Sequence, residues 1–250
     1  MNNPKLSIII PAYNEESRLP STLEQVFHFI EKQTYESEIL IIENGSSDRT
    51  FEVAQDYADS NPHCFAIHNP MRGKGLAVRE GMLMAAGQYR FMCDADLSMP
   101  ITEINRFLPP NLDNFDIAIA SREAPGSVRY NEPGYRHWGG RGINLLIRSL
   151  ALPGLRDTQC GFKCFRADIA EDIFRYQTFS GISFDPEVLY IARLRGFKIV
   201  ELPIPWYYSD ESRIYLFKDT LSLIQDLLTI RRNARLGRYD PKSDARFPLT

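Results

Sequence analysis

The sequence predicts an α/β fold with a mostly parallel central sheet flanked by helices, and three observations carry that expectation. Short apolar, β-branched runs alternate with stretches of helical period through the first half of the chain, the pattern of right-handed crossovers in a parallel sheet. The runs are apolar at successive positions, as strands covered on both faces are. One of them, Tyr89-Arg90-Phe91-Met92-Cys93, ends in Asp94-Ala95-Asp96. In open α/β sheets the ligand crevice lies beyond the carboxyl ends of the strands, so both carboxylates are expected at a cleft.

In chain order, Leu6 to Ile10 is a strand stopped by Pro11. Leu19 to Gln33 repeats apolar residues at Leu19, Leu23, Val26, Phe27 and Ile30, the spacing of a helix with one polar face. A strand over Ile39 to Ile42, a helix over Arg49 to Ala58, a strand over Phe65 to Ile67 and a helix over Leu76 to Ala86 lead into the run that ends at Asp94. Phe115 to Ala120 adds a strand. Arg122 to Gly140 has no period and reads as a long functional loop. Beyond it come a helix over Ile143 to Leu150, a strand over Phe162 to Phe165, helices over Ile169 to Phe174 and Pro186 to Arg195, and a strand over Lys198 to Leu202. The last helix, Ile214 to Leu236, carries two apolar stripes side by side, Phe217-Leu221-Ile224-Leu228 and Leu216-Leu223-Leu227-Ile230, and ends in Arg231, Arg232, Arg235 and Arg238. Two readings stay open for it: a packed helix whose arginines complement its C-terminal dipole, or an amphipathic helix facing anionic head groups. The expected organisation is one domain over 1–236, with a nucleotide-sugar half (about 5–121), an acceptor half (122–213) and the amphipathic helix (214–236), followed by a disordered tail over 237–250.

A net charge of −3 gives no reason to expect a nucleic-acid partner. Cys64, Cys93, Cys160 and Cys164 have no disulfide or zinc spacing and read as buried, reduced thiols. Met1 to Lys5 has no signal-peptide core, and no apolar run approaches the ~20 residues that span a bilayer. The expected location is therefore cytoplasmic, with any membrane contact peripheral, at the cytoplasmic face, or made through a membrane-protein partner.

Hard divalent cations that bridge phosphates take one or two protein carboxylates and leave the other positions to water and substrate oxygens. Asp94 and Asp96 suit Mg2+ or Mn2+ in that way; the competing reading makes them turn residues, with Asp96 or Ser98 capping the next helix. Asp48 is a candidate cap for the helix at Arg49. Asp185, before Pro186, has the pattern of another cap.

Four signals stand in order at strand ends: Pro11-Ala12-Tyr13-Asn14-Glu15, Gly45-Ser46-Ser47-Asp48-Arg49-Thr50, Gly73-Lys74-Gly75 and Asp94-Ala95-Asp96. Together they resemble a family 2 glycosyltransferase with the GT-A fold. Arg156-Asp157-Thr158-Gln159-Cys160-Gly161-Phe162-Lys163 and Phe184-Asp185-Pro186-Glu187 are similar to the dolichyl-phosphate β-glucosyltransferase branch. The resemblance implies a metal-dependent enzyme moving a hexose, glucose from UDP-glucose first, onto a polyprenyl phosphate with inversion. GDP-mannose as donor and a soluble hydroxyl acceptor are the alternatives, and a non-catalytic nucleotide-sugar-binding protein is the rival class. By position in the motifs, Pro11, Tyr13, Glu15, Glu43, Lys74, Asp94, Ala95 and Asp96 would hold the donor. Glu43-Asn44 departs from the family, which usually has two aspartates there, and leaves the base preference open.

Phosphate monoesters have a second pKa of about 6, so a polyprenyl phosphate arrives as an anionic nucleophile that needs cations more than a base. Arg122, Arg129, Arg136, Arg141 and Arg213 are the candidates, Ser212-Arg213 standing where the family has Ser-Lys. A hydroxyl acceptor would reverse the need, and Asp157 is then the candidate general base.

Overall fold

The protein is described by a computed structural model over residues 3–208 and 216–241, the side chains of 135–138 and 216–221 excepted. Strands β1 (Leu6–Ala12), β2 (Ser37–Asn44), β3 (Cys64–Asn69) and β4 (Tyr89–Cys93) alternate with helices α1 (Leu19–Glu31), α2 (Thr50–Ser60) and α3 (Lys74–Met84). A 3-10 turn over Ile101–Phe107 leads to β5 (Ile117–Ser121) and β6 (Val128–Tyr130). Next come α4 (Gly134–Leu150), β7 (Phe162–Arg166), α5 (Ala167–Phe174), α6 (Phe184–Leu194), β8 (Ile199–Pro203), β9 (Pro205–Tyr207) and α7 (Leu216–Arg235).

The main sheet runs β3-β2-β1-β4-β7-β5-β8, and β6 pairs with β9 in a small parallel ribbon. All pairings in the main sheet are parallel except those of β7, which lies antiparallel between β4 and β5. Successive residues of β1 feed opposite layers: Ile8 and Ile10 pack with α1 and the 3-10 turn, Ile9 with α3 and the helices that follow. The order reverses between β1 and β4, which puts a crevice where the two strands end.

Two expectations change, for the stretch 122–140 and for the start of the tail, and one open reading, that of the last helix, narrows. The stretch 122–140 is no single loop: Arg129 sits in β6 and α4 begins at Gly134 behind Pro133, held by packing despite the helix-weak glycines at 139, 140 and 142. The last helix docks on the core through Leu223, Leu227 and Ile230, all 3 % exposed or less, while Leu228 of the other stripe stays half exposed. The chain beyond it is ordered at least to Pro241, because Tyr239 is buried and its hydroxyl donates to Glu187 at 2.8 Å. Residues 242–250 of the expected tail lie outside the described residues, as do Ser212 and Arg213. Among the described residues, no helix is long and apolar enough to cross a membrane.

Candidate active site

The ends of β4 and β7 build one wall. Because β7 runs antiparallel, the residues that precede it arrive beside the end of β4, and Asp94 N–H donates to the Gly161 carbonyl at 3.2 Å. Gly161 packs directly against Asp94: a Cβ there would lie 1.9 Å from Oδ2, so only glycine lets the carboxylate stand where it does. The Ala95 carbonyl accepts from Thr22 of α1 at 2.6 Å, and Asp96 Oδ1 accepts from Ser98 N–H at 3.0 Å, which pins the turn. Asp96 thus keeps the local turn bond of the competing reading while its carboxylate is exposed.

Lys74 supplies the local cation. Its Nζ lies 2.5 Å from Asp94 Oδ1. Burial opposes charge on this ammonium, but Asp94, Asp185 and Asp96 outweigh it and push the group above the ordinary lysine range. The flanking glycines serve packing rather than an anion: Gly75 N–H and Leu76 N–H donate to the Ser180 carbonyl, and a Cβ on Gly73 or Gly75 would strike residues 179–181 or Phe184. The start of α3 is therefore capped by a neighbouring loop instead of standing in solvent. Asp185 does not cap α6, which begins a residue earlier; its Oδ1 accepts from the buried Lys163 ammonium at 2.5 Å. Burial pushes the Asp185 carboxyl above its usual range, against the pull of Lys163 and Lys74.

Two of the arginines, Arg122 and Arg129, line the same cleft. Arg122 is bonded through Nε and Nη2 to both oxygens of Asp157, at 2.7 and 2.9 Å, and its backbone N–H adds a third bond at 3.0 Å. Burial would raise the Asp157 carboxyl, but the Arg122 guanidinium holds it down to about 2. Arg129 spans Glu132 at 2.8 Å and Glu123 at 2.5 Å. Both guanidiniums face the Trp206 ring, 5.5 and 5.7 Å from its centroid. The cleft, ≈ 230 Å³, is lined by Lys74, Asp94, Asp96, Arg122, Arg129 and Asp185 among others. Asp157 stands behind Arg122, fully buried. Arg141 is half exposed with a 3.8 Å contact to Glu123 and does not line the cleft. The Arg136 side chain lies outside the described residues.

A second group forms beyond the ends of β1 to β3. Ser46 Oγ accepts from Asn14 N–H at 3.0 Å and Thr50 Oγ1 from Glu15 N–H at 2.7 Å, zipping the loop after β1 to the loop after β2. Asp48 joins in by accepting from Thr50 and Glu16, and these bonds lower its carboxyl against burial. Tyr13 lies under the Arg72 guanidinium, 4.4 Å away. Glu15 pairs with Arg18 at 2.7 Å. Glu43 is buried against His68 and the Ser46 N–H. Pro11, Tyr13, Glu15 and Glu43 thus share one end of the sheet, beside the cleft rather than in it. His68, Arg72 and the Lys163–Asp185 pair are additions the sequence reading missed, whereas the Trp206 ring was legible as a candidate border of the acceptor path; the partners of His68 and Arg72 become visible only once the strands are in register.

Two hard carboxylates at one cleft, Asp94 and Asp96, fit a divalent cation that shares its shell with substrate oxygens. Among the described residues no three His, Cys, Asp or Glu side chains gather as a closed metal cage. The donor set suits an ion that arrives with a phosphorylated ligand.

The family model "Glycosyl transferase family 2" matches residues 7–174. The chain belongs to that family. Its curated relatives include a dolichyl-phosphate β-glucosyltransferase of Trichomonas vaginalis, 32 % identical over 94 % of this chain and 75 % of the relative, and the human enzyme of that name, 30 % identical over 94 % and 77 %. These place the family 2 chain in the dolichyl-phosphate glucosyltransferase branch. Among solved structures, glucosyl-3-phosphoglycerate synthase from Mycobacterium tuberculosis, in complex with Mn2+, UDP-glucose and phosphoglyceric acid, superposes with a TM-score of 0.65 at 14 % identity, over 99 % of this chain and 88 % of its own. That likeness speaks for the fold alone, and it agrees with the GT-A architecture expected of the family.

Proposed function

We propose that this protein transfers glucose from UDP-glucose to a dolichyl-type polyprenyl phosphate, with inversion, at a membrane surface. The observation that carries the reading is the gathering around one cleft of Asp94, Asp96 and Lys74 with Arg122 and Arg129: groups for a metal-bound diphosphate together with cations for a second phosphate. The names of the relatives point to the same donor sugar and acceptor.

Tyr13, Glu15 and Glu43 hold the nucleoside, and Asp94 and Asp96 are the residues that would hold Mg2+ or Mn2+ at the diphosphate. Bound there, the ion would supply Lewis-acid stabilisation of the charge that gathers on the departing UDP. The Lys74 ammonium, aimed at the same place, adds a fixed positive charge that needs no reorganisation during the reaction. Arg129, over Trp206, exchanges part of its carboxylate pairing for the acceptor phosphate, and Arg122, held from behind by Asp157, keeps its orientation while doing so. Asp157 suits positioning better than proton abstraction: it is fully buried, holds Arg122 with both oxygens and has a carboxyl lowered to about 2. An acceptor that arrives ionised asks for no base. Attack by its oxygen opposite the leaving diphosphate turns the α-linked donor into a β-linked product.

The test is incubation with labelled UDP-glucose, dolichyl phosphate and Mg2+ or Mn2+, followed by lipid extraction. Label is expected in the organic phase, and Asp96→Ala is expected to lower its appearance by at least ~100-fold, the scale of losing one preorganised charge stabiliser. Label that stays wholly in the water phase rejects the lipid acceptor.

A further inference from the structure

We propose that His68 sets the choice of nucleobase at the donor site. It closes one side of the Glu43 carboxylate, so that the pocket takes a single ring N–H, as uracil offers, and turns away the paired N–H donors of guanine. The inference rests on the transfer reading above and deepens its donor side.

Glu43 and His68 are register partners in the parallel pair β2–β3, so their side chains project to the same face and meet by construction. His68 Nδ1 lies 2.5 Å from Glu43 Oε2. A carboxylate only accepts, so the imidazole proton of that contact sits on Nδ1. Oε1 accepts from the Ser46 N–H. With both oxygens engaged and the residue 1 % exposed, Glu43 has little of its edge left to offer. Guanine carries N1–H and its exocyclic amino group side by side, and reading both takes one carboxylate oxygen each. Uracil has one N–H on the corresponding edge, flanked by carbonyls. A guanine brought to Glu43 would set its amino group against the imidazole, whereas a uracil would not. The Phe51 ring, 5.2 Å from the imidazole and tilted by 55°, packs against it and resists its swinging away. The glutamate that replaces the family's usual aspartate is thus met by a partner of its own, and the two residues act as one device.

The full chain is titrated with UDP and with GDP in the presence of Mn2+, for the wild type, His68→Ala and His68→Gln, with thermal melts to verify that each variant folds. The wild type is expected to prefer UDP, and His68→Ala to shrink that preference by roughly tenfold or more, chiefly through gained GDP affinity, as expected when an element that rejects the wrong ligand is removed. His68→Gln, which keeps an N–H donor beside Glu43, is expected to retain most of the preference. A UDP-to-GDP ratio unchanged in His68→Ala overturns the inference, as does a wild type that binds the two equally. A wild type that binds neither nucleotide fails earlier, at the transfer reading itself.

Discussion

The proton affinity of Asp157 is pulled two ways, and the outcome decides what the residue can do. Burial alone would favour the neutral acid, yet the fork of Arg122 closes on both oxygens and lowers the carboxyl from 3.8 to about 2. That difference corresponds to roughly 2–3 kcal/mol of native-state stability. A folded-state value below the unfolded one means that the contribution is complete above about pH 4 and disappears as the pH falls towards 2. Asp157→Asn is therefore expected to cost about that much or more in urea unfolding at pH 7, with the gap to wild type narrowing below pH 4; a gap independent of pH would refute it. The same pair shows what a sequence can and cannot say at this scale. Asp157 and Arg122 were both legible as functional candidates, because their residue types suit proton and phosphate chemistry. That each answers the other across 35 positions was not, since such pairing depends on the sheet bringing the two loops together.

Between the residue and the whole stands the loop 177–181, which ties three elements to one another. Glu187 of α6 is fully buried and accepts from Thr178 N–H, Thr178 Oγ1, Phe179 N–H and Tyr239 Oη. Burial raises its carboxyl while these bonds lower it, and burial prevails. The loop so fixed presents the Ser180 carbonyl to the start of α3, and α3 carries Lys74 to Asp94. Glu187→Ala strands two buried N–H groups, a cost of about 3 kcal/mol or more. It is also expected to loosen Lys74, raising KM for the donor sugar more than it lowers kcat. Urea melts and steady-state kinetics measure the two effects, and a stability loss with KM unmoved would break the link from loop to lysine. The parallel strands of the first half could be read because buried parallel strands are apolar at every position. Strand direction leaves no such mark, so the antiparallel β7 could not be foreseen, and with it went the reason for Gly161.

For the molecule as a whole, the question is how a chain in which no described helix is long and apolar enough to cross a membrane meets a lipid that does not leave it. The final helix was legible as amphipathic in two stripes, and the structure divides them: Leu223, Leu227 and Ile230 belong to the core, while Leu228 and Leu236 are more than half exposed beside Arg232 and Arg235. The division also changes how anchoring has to be tested. Cutting the chain before the helix would remove core residues and the Tyr239 bond to Glu187, and would unfold the protein instead of detaching it. A substitution on the outer stripe leaves the packed face intact. Leu228 is 52 % exposed, so little folding free energy is tied up in it, whereas burying the same side chain in a bilayer interface contributes about 1 kcal/mol or somewhat more. If the outer stripe touches the membrane, Leu228→Glu lowers binding to vesicles rich in anionic lipid by roughly fivefold to tenfold while the melting temperature holds. Raised salt weakens the wild type further, because the arginines contribute through charge that salt screens. Equal pelleting of wild type and variant would move the membrane contact to another face or to a partner protein, and transfer to a short-chain, water-soluble polyprenyl phosphate would then proceed at the same rate in both.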